Sequence, residues 1–182
     1  DYFAQQSLLL ENESGVLDYM YGVAGWFILY PYLCKKHQLV ITSMFESQLQ
    51  DFDGIDIYKQ KFEDGCYLYT SKKNLLGFAH GLASICYIMG EYPISNQFSE
   101  KRVEFTQKLR GSFNDDFELL RYYGGDDYIR QEWCHGALGA ALLLDGEDRS
   151  NALKTYLANN SHTTHGLCHG VGQRIILSKI SS

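Results

Sequence analysis

No apolar run in this 182-residue chain reaches the roughly 20 residues that a bilayer-spanning helix needs. The longest candidate, Val23 to Leu33, carries Gly, Tyr and Pro and predicts a buried helix instead. No basic segment followed by an apolar one opens the chain, so nothing in it indicates secretion. Basic stripes are lacking as well. Lys and Arg total 16 against 22 Asp and Glu, a net charge of −6, which argues against nucleic acid as a partner. The cysteines, five in number, form no disulfide framework by count or spacing, and a reducing cytoplasm suits them best. Cys34 and Cys86 fall inside apolar helical patterns and read as small buried hydrophobes.

What the chain does have is an ordinary globular balance, 45% apolar and 21% charged, and a length that suits one domain over residues 1–182. It begins at Asp1 without a Met and ends at Ser182 soon after its last motif, which suggests missing segments.

Four segments repeat one local design. Tyr21-Gly22-Val23-Ala24-Gly25, His80-Gly81-Leu82-Ala83-Ser84, His135-Gly136-Ala137-Leu138-Gly139 and His169-Gly170-Val171-Gly172 each lead into an apolar run. Small residues at a helix start let backbones or a ligand approach closely. The first glycines stand at 22, 81, 136 and 170, gaps of 59, 55 and 34, which is the mark of a repeat architecture. The longer gaps have room for a second helix, and Leu39–Leu49, Phe98–Leu109 and Ser150–Leu157 show the required amphipathic spacing. The last gap is too short for the same unit. Residues 51–73, with Gly54, Gly65 and interleaved aromatics, read as an irregular connection with some extended structure. The expected architecture is all-α: paired inner and outer helices curling round a face where the glycine-rich turns gather, as in a toroid or barrel.

At that face stand Cys134 and the adjacent pair Cys168-His169. Two thiolates and an imidazole can hold zinc while leaving a fourth position open, as catalytic sites do. His135, next to Cys134, is open to several roles: an acid, a substrate contact or a rival ligand.

The motifs resemble those of the lanthionine synthetase C-like family, the lantibiotic cyclases. Gly77-Phe78-Ala79-His80-Gly81 is similar to its G-x-x-H-G motif, Trp133-Cys134-His135-Gly136-Ala137-Leu138-Gly139 to W-C-x-G-x-x-G, and Leu167-Cys168-His169-Gly170 to C-H-G, in the same order. Asp18-Tyr19-Met20-Tyr21-Gly22-Val23-Ala24-Gly25 resembles the acidic G-x-x-G repeat that precedes the histidine motif. The resemblance implies an α/α-toroid, here partial, and one zinc ion held by Cys134, Cys168 and His169. It implies a cyclase that adds a peptide cysteine thiol to a dehydroalanine or dehydrobutyrine of a dehydrated precursor peptide, closing a thioether ring. His80 would be the acid/base group, Asp18 would orient it, and Arg130 would polarise the substrate carbonyl. A dehydratase and an export transporter are implied partners in a biosynthetic complex, with membrane association only through them. The alternatives are a non-catalytic zinc protein that binds a thiol ligand (glutathione or a peptide) and a helical protein with structural zinc, His135 being the fourth ligand. Ser84 and Gln173 depart from the pattern, each standing where the family has glycine.

Overall fold

A computed structural model describes residues 17–20, 22–52, 58–60, 69–71, 75–120, 129–130 and 132–159. The fold is helical. A 3₁₀ helix over Val23–Ile28 and a short one over Tyr30–Tyr32 lead into α1 (Lys35–Gln50). Next come α2 (Leu82–Glu91), α3 (Ser99–Arg110), α4 (Ala137–Ala140), continued by a 3₁₀ turn over Ala141–Leu143, and α5 (Gly146–Asn159). Two antiparallel two-stranded ladders lie in the connections, β1 (Tyr58–Gln60) with β2 (Tyr69–Ser71) and β3 (Leu119–Leu120) with β4 (Ile129–Arg130).

The helices sort into two layers by how they are wetted. Helix α2 buries Leu82, Ala83, Ser84, Ile85, Cys86, Ile88 and Met89, and a helix buried all round belongs inside. It touches both Val23–Ile28 and the 137–143 segment, which form the inner layer with it. The outer helices bury one stripe each: Ile41, Phe45 and Leu49 on α1, Phe105 and Leu109 on α3, Ala152 and Tyr156 on α5. Spacings of four place those side chains on a single helical face. Each outer helix rests on the inner segment of its own unit. Three consecutive units thus repeat the expected inner-outer pairing. The third unit keeps both members because its inner helix is short, four α residues and three 3₁₀ residues.

Polar ties lock neighbouring outer helices. The Lys101 ammonium on α3 donates to the carbonyls of Leu49, Gln50 and Phe52, each at 2.7 Å. Leu49 and Gln50 are the last residues of α1 and Phe52 lies two positions beyond it, at the helix end where the dipole favours a cation. Glu46 accepts the Ser95 backbone N–H at 2.6 Å.

Two expectations are corrected. Residues 23–33 do not form one buried helix: Ile28, Leu29 and Tyr32 are exposed. Pro31 has no N–H to give to the Phe27 carbonyl, so a continuous α-helix is interrupted there. The Tyr92 hydroxyl donates to that carbonyl instead, at 3.1 Å. Cys34 is not a buried hydrophobe either. The interruption leaves it exposed at the N-terminal boundary of α1, its Sγ 3.3 Å from His37 Nδ1. Cys86 is buried as expected, and burial pushes its thiol up to about 12.

Candidate functional site

Three glycine-containing turns converge at the N-terminal ends of the inner segments. In the first, Asp18 is fully buried. Its Oδ1 accepts the Met20 backbone N–H at 2.7 Å and its backbone carbonyl accepts the Gly22 N–H at 3.0 Å. Both bonds are local, so the turn fixes the carboxylate before anything distant meets it.

The second turn, residues 77–81, precedes α2 and carries His80. Its Nδ1 lies 3.0 Å from Asp18 Oδ2, across 62 positions of sequence. A carboxylate only accepts, so its partner assigns the proton to Nδ1, and exchange with a reactant passes through Nε2. The His80 side chain is 19% exposed, enough for contact with solvent or a bound molecule.

The third turn follows β4 and holds Trp133, Cys134 and His135, closed by a bond from the Gly136 N–H to the Glu132 carbonyl at 2.7 Å. Cys134 is buried. The second and third turns meet backbone to backbone. Ala79 N–H donates to the Cys134 carbonyl at 3.0 Å, and Gly77 lies so close that a Cβ there would overlap the Cys134 carbonyl oxygen and the His135 Cα. This contact brings the His135 ring over that of His80, centroids 5.1 Å apart and planes 27° from parallel. An aromatic cluster braces all three turns: Phe78 packs at 5.0 Å from Tyr19 and 5.4 Å from Trp133, with Tyr19 and Trp133 6.2 Å apart. Burial, with a smaller contribution from Tyr87, raises the Tyr19 phenol above its ordinary 10.0, so it stands in the cluster as a neutral hydroxyl.

Against the motif order and this meeting of turns, residues 3–181 match the lanthionine synthetase C-like protein family. The chain belongs to that family. No curated protein matches it. Of the residues singled out in this lanthionine synthetase C-like sequence, Asp18, His80, Cys134 and His135 come together through the three turns. Arg130 lies in β4 with its backbone opposite Leu119; its side chain is outside the described part of the structure. Cys168, His169 and Gln173 lie outside the described residues. Ser84, the departure from glycine, is fully buried and donates its hydroxyl to the Gly81 carbonyl at 3.0 Å, so the turn absorbs it.

Among the described residues no group of three or more His, Cys, Asp and Glu side chains is arranged to hold a metal ion, and two of the three implied ligands lie beyond them. The donor set itself, two thiolates and one imidazole, is chemistry that zinc selects. Cys134 suits it, being buried and next in sequence to the ring stacked on His80. No helix among the described residues is long and apolar enough to cross a membrane.

The sequence reading missed Tyr19 and Phe78 as parts of the site. Their signal was positional: Tyr19 follows Asp18, and Phe78 precedes His80 by two residues.

Proposed function

We propose that this lanthionine synthetase C-like chain is a zinc-dependent lanthipeptide cyclase on an α/α-toroid, with Cys134, Cys168 and His169 as the metal ligands. It would act in the cytoplasm on a dehydrated precursor peptide supplied by a dehydratase, with the product passed to an export transporter. The observation that carries this reading is the hydrogen bond from His80 to the buried Asp18, held at 3.0 Å against the turn that contains Cys134.

The reaction adds a cysteine S–H across the Cα=Cβ bond of dehydroalanine or dehydrobutyrine. A carbon–sulfur bond forms at Cβ, and a proton arrives at Cα. The proton that the thiol loses balances the one that the α-carbon gains, so no oxidant or reductant is needed. Zinc, when bound, supplies a Lewis acid that keeps a thiol ionised at neutral pH. The protein's own residues do the rest. Asp18 holds Nδ1 and thereby aims Nε2 of His80, which delivers the proton to the α-carbon as general acid. Arg130 would meet the negative charge that develops on the substrate carbonyl.

Metal analysis and a peptide assay test this together. The purified protein should carry one zinc per chain, and a dehydrated precursor peptide incubated with it should lose free thiols as rings close. His80→Ala should keep zinc and lose ring formation, whereas Cys168→Ala should lose zinc. Zinc loss in His80→Ala would refute this division of roles. A zinc-loaded protein that closes no ring would instead be the thiol-binding, non-catalytic member of the family.

A further inference from the structure

Eight large hydrophobic side chains are exposed among the described residues, and five of them fall between positions 28 and 40: Ile28, Leu29, Tyr32, Leu39 and Val40. Single exposed apolar residues are ordinary, whereas a concentration of them marks a contact surface. This stretch is the corner that carries the chain from the first inner segment out to α1. It follows the C-terminal end of Val23–Ile28, so it lies at the end of that segment away from the Asp18 turn. On α1, Leu39 and Val40 stand one turn after the exposed Lys35 and Lys36, on the side away from the buried Ile41 and Phe45. The charge of the corner departs from that of the chain. Of the 22 acidic residues, none lies between Asp18 and Glu46. The other two corners differ: Tyr92 and Ile94 pack against the core ahead of α3, and the start of α5 exposes Asp145, Glu147 and Asp148.

Aliphatic, aromatic and cationic side chains without an acid suit an anionic bilayer. Tyr settles at headgroup level, Lys is drawn by the lipid charge while its stem lies along apolar surface, and the aliphatic groups enter beneath. A protein partner fits less well, because protein interfaces are depleted in Lys. We infer that the corner of residues 28–40 docks the chain directly on an anionic membrane surface. The inference needs no partner protein and does not rest on the cyclase reading. With two lysines the attachment is weak and sensitive to salt.

Flotation of the purified chain with vesicles tests it. Vesicles of equal parts phosphatidylglycerol and phosphatidylcholine should bind the chain, those of phosphatidylcholine alone should not, and added salt should release it. Lys35→Gln with Lys36→Gln should weaken binding by roughly 25-fold, about fivefold per lysine. Tyr32→Ser with Leu39→Ser should weaken it by roughly tenfold or more. Val103→Ser, on α3 and 56% exposed, should change nothing. All these side chains are exposed, so circular dichroism should show every variant folded. Cys34, exposed between Tyr32 and Lys35, gives a readout in the unaltered chain: anionic vesicles should slow its labelling by a neutral, polymer-linked maleimide. A folded parent that ignores anionic vesicles overturns the inference. So does equal binding to the neutral vesicles, or binding that both corner variants keep, or a loss in Val103→Ser as large as theirs. If the parent forms a dimer without lipid, and Tyr32→Ser dissociates it, the corner is an interface between copies and the inference fails.

Discussion

Gly77→Ala tests how the site is assembled. The added methyl would meet the Cys134 carbonyl oxygen and the Cα and carbonyl carbon of His135, all backbone atoms and all closer than a real Cβ tolerates. No side chain can rotate away, so one turn must move off the other. Overpacking of this kind costs about 1–3 kcal/mol. Separating the turns also weakens the bond between the Ala79 N–H and the Cys134 carbonyl, about 1 kcal/mol more. A loss of about 2–4 kcal/mol should lower Tm by roughly 5–15 °C for a chain of this size. Gly90→Ala is the counterpart. It lies near the end of α2 with only the Arg102 Nη2 at 3.7 Å from the new methyl, and replacing a helical glycine there should stabilise by about 0.5–1 kcal/mol. Urea unfolding followed by far-UV circular dichroism reads both. If Gly77→Ala unfolds at the parent's urea midpoint, the two turns do not depend on that close contact, and the account of how Cys134 and His135 reach His80 is wrong.

Asp18→Asn should retain zinc yet slow ring formation by roughly 100-fold or more, measured by thiol loss on a dehydrated peptide, since an amide can turn its NH₂ toward His80 Nδ1 and no longer fixes the ring as the carboxylate does. Lys101→Met should lower stability by about 2–3 kcal/mol in urea titration, because the carbonyls of Leu49 and Gln50 in α1 and of Phe52 beyond it lose a charged donor; an unchanged midpoint would show that water replaces it. Cys86 gives a pH dependence. Burial keeps its thiol protonated to about 12 in the folded chain against an ordinary 9.0, so the unfolded state ionises first. Stability should therefore fall as pH rises above 9.0, by up to about 1.4 kcal/mol per pH unit from this group, and Cys86→Ala should flatten that slope. In the folded protein at neutral pH, a maleimide should label the exposed Cys34 and spare Cys86, with peptide mass spectrometry identifying the site.

The outer helices were legible in the chain because a one-sided helix writes its buried stripe about once per turn, at intervals of four in Ile41, Phe45 and Leu49. The inner helix α2 was legible for the opposite reason, since a segment buried all round is apolar all round. Residues 23–33 misled because hydrophobicity records a preference for burial, whereas Pro31 acts on a single backbone hydrogen bond whose replacement, the Tyr92 hydroxyl, lies far along the chain. The candidate site divides in the same way. Residue type and the repeated glycines brought out Cys134 and His135, because thiolate and imidazole chemistry admits few side chains, whereas Asp18 and His80 were brought out by resemblance to the family's motifs. That Asp18 meets His80 across 62 positions, that Gly77 seats the Cys134 turn, and that the His135 ring stacks beside that of His80, 27° from parallel, were decided only by tertiary packing. Hydrogen-bond direction and ring stacking depend on distances that no local pattern of residues encodes.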